Sequence, residues 1–277
     1  MSFSIAGKTA IVTGAANGVG LAIARHFADQ GANVMCADMD EAMLIKGFGE
    51  NPEVEGNGDD GRNTRYFAGD LREKLTIANL LSATIDAFDR VDILVNASRQ
   101  MLTSDPLDSD DKAVETLLDQ NLMTSLRLSQ LIAKRMIAQG EGLGEDAQDV
   151  PLGAIVNLSS IAATRTLPGL MAFSVASAAL DQMTRSLAVA LAPHRIRVNA
   201  VSFGSVMSAS LMDAIRDSTE IREDIIEGTP LNRIASAGEL AETVRFLSSD
   251  GSGFMTGQVL TVDGGRSLVD AVGAPAH

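Results

Sequence analysis

The stretch Thr9-Ala10-Ile11-Val12-Thr13-Gly14-Ala15-Ala16-Asn17-Gly18-Val19-Gly20-Leu21-Ala22-Ile23-Ala24 decides the fold. Its first five residues form an apolar run with β-branched members, which predicts a buried strand. From Gly18 onward the apolar residues recur at helical spacing through Asp29, which predicts a helix. Between the two lies a turn with Gly14, Gly18 and Gly20. A diphosphate needs this arrangement: glycines let the backbone come close, and the amides at a helix N-terminus receive negative charge. Gly14, Asn17, Gly18, Val19 and Gly20 are therefore the first candidate ligand-binding residues.

Outward from this unit the pattern repeats. Asn33–Ala37 reads as a second buried strand and places Asp38 at its end. Ile93–Asn96, Ala154–Leu158, Arg197–Val201 and Gln258–Val262 read as further strands. Helical spacing covers Leu71–Ala87, Asp110–Ala138, Ala172–Leu191 and Gly238–Ser248. Strand alternating with helix predicts an α/β fold: a Rossmann-like, doubly wound parallel sheet with helices on both faces. Asp38 is then positioned to accept hydrogen bonds from an adenosine ribose and to repel a 2′-phosphate, and Met39 beside it brings no cation. This favours NAD(H) over NADP(H).

The 277 residues, 45% of them hydrophobic and 21% charged, suffice for a sizeable core and exclude general disorder. No composition shift or internal repeat divides the chain, so residues 1–277 are expected to form one domain. Two Gly- and acid-rich segments, Gly47–Arg65 and Gln139–Pro151, are expected to be loop insertions at the end of the sheet away from the ligand crevice.

A formal net charge of −14 repels nucleic acid and anionic lipid. The longest uncharged stretch, Thr9–Ala24, is broken by glycines, so no membrane span is expected. With Cys36 the only cysteine and no basic segment leading into an apolar run, a reduced, cytoplasmic setting is expected. No metal-ligand spacing stands out.

The spacing Thr-Gly-x-x-x-Gly-x-Gly resembles that of the short-chain dehydrogenase/reductase family. So do Asp70-Leu71, Asn121 in a long helix, Ile155-Val156-Asn157-Leu158-Ser159-Ser160, Arg195–Val201 and Thr256–Gly265, in the family's order from about Gly7 to Arg266. The resemblance implies adenine contacts at Asp70 and Leu71, a cofactor contact at Asn96, and carboxamide contacts at Val206 and Ser208. It implies catalytic roles for Ser160 and Asn121. It also implies assembly through the two long helices, as a homo-oligomer or with an active relative as a hetero-oligomer.

The resemblance fails at the reacting end. In the family a tyrosine follows the serine and a lysine follows the tyrosine; thirteen residues on from Ser160 stands Phe173, and four further on Ser177. Neither offers the phenol or the ammonium. Asn-Asn-Ala-Gly becomes Asn96-Ala97-Ser98-Arg99, so a large cation replaces a glycine, and the Pro-Gly of the substrate loop becomes Phe203-Gly204. The only tyrosine, Tyr66, and the histidines His26, His194 and His277 are not placed to replace the phenol. The leading expectation is an NAD(H)-binding member with a degenerate active site, acting as a structural or regulatory subunit of an oxidoreductase assembly. The alternative is an NAD-dependent alcohol dehydrogenase or ketone reductase, acting on a small carbonyl or alcohol through Ser160, water and Arg99. A third reading is a lyase, isomerase or dehalogenase on the same fold. In the second reading Leu167, Leu170, Met171, Phe203, Met207 and Met212 line an apolar substrate pocket.

Overall fold

A computed structural model describes residues 2–50, 63–142, 150–208, 211–212, 215–216 and 218–270. Its strands and helices alternate: β1 (Thr9–Thr13), α1 (Gly18–Asp29), β2 (Asn33–Asp38), α2 (Glu41–Phe48), β3 (Thr64–Ala68), α3 (Lys74–Phe88) and β4 (Ile93–Asn96). There follow α4 (Ala113–Leu117), a π-helical turn (Leu118–Met123), α5 (Thr124–Glu141), β5 (Gly153–Ser160), α6 (Met171–Leu191) and β6 (Ile196–Phe203). The chain continues through β7 (Val206–Met207), α7 (Thr219–Glu227), β8 (Ala235–Ser236), α8 (Ala237–Ser248) and β9 (Val259–Val262).

Seven strands form one sheet in the order β3-β2-β1-β4-β5-β6-β9, and every neighbouring pair is parallel. Because side chains alternate across a strand, the buried runs supply both faces. Ala10 and Val12 of β1 point to the layer of α1 and α8, where Ile23, Ala24, Phe27, Leu240 and Val244 pack. Ile11 points to the opposite layer, where Ile77 and Leu80 of α3 meet Leu128, Ile132 and Met136 of α5. In α1 the buried positions are Gly20, Ile23, Ala24 and Phe27, the stripe its spacing predicts.

Three expectations need correction. The segment Gly47–Arg65 is not wholly loop: Gly47 and Phe48 close α2, and Thr64 and Arg65 open β3, which pairs with β2 from Thr64↔Val34. Every β3 residue is only half-buried, as expected of an edge strand, so its hydrophobic signal is weak. Likewise Gln139–Glu141 belong to α5. Residues 51–62 and 143–149 of the two insertions lie outside the described residues. Third, the helix expected over Asp110–Ala138 begins at Ala113 and is interrupted by the π turn that carries Asn121. Tertiary hydrogen bonds to Asn121, described below, hold it there.

Among the described residues no helix is long and apolar enough to cross a membrane.

Candidate functional site

The strand order reverses between β1 and β4, and at such a point the loops leaving the strand ends diverge to leave a crevice. Here the two loops are tied together: Thr13 Oγ1 accepts hydrogen bonds from the amides of Ala97 and Ser98, both at 3.0 Å. A cleft of about 500 Å³ lies over the ends of β1 to β4. Its walls come from the β1 turn (Gly14, Asn17, Gly18, Val19, Gly20), the β2 end (Asp38, Met39), the β3 loop (Gly69–Arg72) and the β4 loop (Ala97–Gln100), with Gln120, Leu158 and Ser208.

The glycine turn is built by close approach. A Cβ on Gly14 would stand 2.8 Å from the backbone of Ala97 and Ser98, and Gly14 has φ +66°. A Cβ on Gly20 would stand 2.0 Å from the carbonyl oxygen of Gly14. Both positions exclude any side chain, and the chain can therefore fold the β1 loop flat under the cleft. The N-cap residue Asn17 makes no side-chain capping bond, and the first turn of α1 holds no acid. The amides of that turn thus remain available to an anion. Together these features fit a diphosphate.

At one end of the cleft Asp38 is fixed by the backbone. Its Oδ2 accepts from Ala16 N at 3.1 Å, and its Oδ1 from Met39 N at 2.7 Å and Asp40 N at 3.2 Å. Asp70 is gripped by Arg72, whose Nε lies 2.9 and 3.0 Å from the two carboxylate oxygens. That hydrogen-bonded guanidinium holds the Asp70 carboxyl below the ordinary aspartate range. Arg72 itself lines the cleft, a residue that sequence reasoning missed although the Asp-x-Arg spacing of a charged turn was there to read.

At the other end stands Arg99. Its guanidinium carbon lies 4.1 Å from the ring centre of Phe203 and 5.7 Å from that of Phe173, and its Nη1 donates to Ser159 O at 3.2 Å. The side chain therefore crosses from the β4 loop over the end of β5 to the end of β6. Arg99 is exposed to the cleft, while the protein packed beneath its guanidinium desolvates it in part and pushes its pKa down to about 10. It stays charged at neutral pH. Among the described residues no carboxylate pairs with it. Phe203, expected in a substrate pocket, is buried beneath it.

Behind Arg99 is a second cavity of about 10 Å³, lined by Arg99 and Ser98 together with Asn96, Asn121, Ser125, Leu158, Phe173, Ala176, Ser177 and Leu180. It has room for roughly one water. Phe173 and Ser177 face this cavity and not the cleft, so Arg99, Ser98 and Leu158 form the partition between the two.

The other expected residues fall as follows. Asp70, Leu71 and Ser208 line the cleft with Asp38 and the glycine turn. Asn96 lies below it, donating to Asn157 Oδ1 at 2.8 Å and Ser129 Oγ at 3.1 Å in a buried network. Val206 is buried in the small β7–β8 sheet. Asn121 is bound both ways to Gln100, accepting from its amide and donating to its carbonyl at 2.8 Å each. Ser160 Oγ accepts from Ala162 N at 3.2 Å and caps the turn Ile161–Ala163. Gln100 and Gln120, which also line the cleft, carry no motif that would have found them.

A doubly wound parallel sheet with a glycine-lined cleft at its switch point and a fixed acid at the end of β2 defines a nucleotide-binding α/β protein. A family model described as enoyl-(acyl carrier protein) reductase matches residues 14–267. The chain belongs to the short-chain dehydrogenase/reductase family of oxidoreductases. Among curated proteins it is similar to oxidoreductase UcpA of Escherichia coli (strain K12), with 31% identity over 97% of each chain. It is similar also to an NAD-dependent glycerol dehydrogenase of Listeria innocua, with 29% identity over 96% of each. Among solved structures, a putative gluconate dehydrogenase from Agrobacterium tumefaciens superposes with a TM-score of 0.84 at 27% identity, covering 97% of this chain and 99% of the other.

Proposed function

We propose that this chain binds NAD(H) in the cleft over β1 to β4 and does not carry out carbonyl–alcohol exchange by the route its relatives' family uses, serving instead as a structural or regulatory subunit of an oxidoreductase assembly. The observation that carries this reading is the partition: Arg99 separates the cleft from Phe173 and Ser177, and those two positions hold neither a phenol nor a cation. The turn at Gly14–Gly20 takes the diphosphate on its amides, Asp38 takes the adenosine ribose hydroxyls, and Leu71 packs on the adenine side. The Asp38 carboxylate selects against a 2′-phosphate, so NAD(H) is favoured over NADP(H). A nicotinamide cofactor supplies hydride chemistry when bound. Among the described residues no phenol or imidazole lines the cleft to move the accompanying proton. Assembly runs through α5 and α6, with a second copy of this chain or with an active relative.

The alternative, a working dehydrogenase or reductase with an altered relay, draws support from the resemblance to the Listeria innocua glycerol dehydrogenase. It is the weaker reading because Ser160 does not line the cleft and Asn121 is held at the Gln100 backbone on both sides of its amide.

The test is calorimetry of the purified chain with NADH, NAD⁺ and NADP⁺, followed by turnover assays of the same sample on a panel of small aldehydes, ketones and alcohols. Micromolar NADH binding, NADP⁺ rejection and no turnover are expected. Turnover by the pure chain alone would overturn the proposal.

A further inference from the structure

Among the described residues the cation at the inner end of the cleft has no counterion, and this bears on which redox form of a dinucleotide the cleft accepts. We infer that Arg99 makes the site select the reduced dinucleotide, NADH, over the oxidised one, so that the chain responds to the redox state of the cofactor pool. The inference rests on the reading of the cleft as a dinucleotide site.

Three observations carry it. The first is topological. The glycine turn after β1 lies mid-cleft, Asp38 and Asp70 lie on the β2–β3 side, and the β4 loop lies on the other. A dinucleotide with its diphosphate on the turn and its adenosine at Asp38 must send its nicotinamide half toward Ser98, Arg99 and Gln100. The second is where the Arg99 charge sits. Its guanidinium is held over Phe203 at 4.1 Å and donates to the Ser159 carbonyl, so it is fixed against the sheet end while the side chain stays exposed to the cleft. The third is the lack of a neutralising group: no described carboxylate pairs with Arg99.

The two redox forms of the cofactor share the adenosine diphosphate and differ at the nicotinamide. The oxidised ring is a pyridinium with a positive charge; the reduced ring is neutral. A fixed cation facing the cleft repels the first and leaves the second free to stack on the guanidinium plane. Repulsion between this cation and a pyridinium at the inner end of the cleft separates the two affinities by about tenfold.

The experiment is calorimetry of the full chain with NADH, NAD⁺ and ADP, on the wild type, Arg99→Gln and Arg99→Lys. ADP, which reaches only the β1–β3 side, reports whether each variant is folded and the cleft intact. The expected result is NADH binding about tenfold or more tighter than NAD⁺ in the wild type, a preference kept by Arg99→Lys and abolished by Arg99→Gln with ADP affinity unchanged. Equal NADH and NAD⁺ affinities in a wild type that binds ADP would overturn the inference and leave the dinucleotide reading standing. A preference that survives Arg99→Gln would overturn it also. Failure of the wild type to bind ADP would remove the dinucleotide reading itself, and the inference with it.

Discussion

Asp38 Oδ2 accepts a hydrogen bond from the backbone amide of Ala16 at 3.1 Å, so the acid that faces the cleft from β2 also anchors the glycine turn that leaves β1. One carboxylate thus lines the cleft and braces the turn beneath it. Asp38→Ala is expected to lower NADH affinity about tenfold to a hundredfold, the value of a lost hydrogen bond to a charged group. It is also expected to narrow the gap between NAD⁺ and NADP⁺ and to cost about 1 kcal/mol of stability as Ala16 N loses its acceptor. Calorimetry and urea unfolding of the same preparation check the two effects.

Gly20 and Gly14 touch through backbone atoms alone. A methyl group at Gly20 meets the Gly14 oxygen at 2.0 Å, and neither partner is a side chain that can turn away. Gly20→Ala is therefore expected to destabilise the chain by about 1–3 kcal/mol and to abolish ADP binding. Gly169→Ala, at a position with nothing within 4 Å of the added carbon, serves as the neutral control. The comparison is read from urea midpoints.

Restoring the missing groups is expected to fail unless the partition is opened. Phe173 and Ser177 face the small cavity behind Arg99. The double variant Phe173→Tyr/Ser177→Lys should remain at background with NADH and a panel of small ketones. The triple variant with Arg99→Gly should gain turnover, because a positioned proton donor is worth about 10²–10⁴ in rate once it can reach the substrate. NADH absorbance follows the reaction. Activity in the double variant equal to that in the triple would show that Arg99 is no barrier.

Asp181 on α6 is a buried carboxylate whose Oδ1 has no hydrogen-bond partner. Burial raises its pKa above the ordinary 3.8, against a weaker opposing pull from Ser159 and Arg185. The folded chain therefore holds this proton more tightly than the unfolded chain does, and ionising the group as pH climbs above 3.8 costs stability. Asp181→Asn is expected to stabilise the chain by about 1 kcal/mol at neutral pH, with the gain vanishing in acid where the native residue is already protonated. Thermal melts of both forms across pH, each referred to its own acid limit, measure the difference.

Much of the fold was legible in the chain. The parallel sheet follows from apolar β-branched runs alternating with helical stripes, and α1 matches its pattern from Gly18 to Asp29. The edge strand β3 escaped because its half-buried residues lack the continuous apolar signal of central strands. The glycine-turn wall of the cleft was also legible, since it is local: one strand, one turn and one helix supply it. Ser160 and Asn121 were found by their motifs, but their hydrogen-bond partners, Ala162 N and the Gln100 backbone, could not be.

The sequence by itself determined the α/β class, the glycine turn after β1, the acid at the end of β2, and Phe173 and Ser177 where the family resemblance expects a tyrosine and a lysine. Each is a matter of residue identity at a local spacing. Only the tertiary structure decided that Arg99 spans from β4 to β6, rests on Phe203 and divides the cleft from the cavity behind it. Arg99, Ser159 and Phe203 are far apart in the chain and meet because parallel strands bring their carboxyl ends to one edge of the sheet. Hydrophobic periodicity fixes which strands lie in the sheet, but a long side chain's direction depends on the rings and carbonyls it finds at the strand ends.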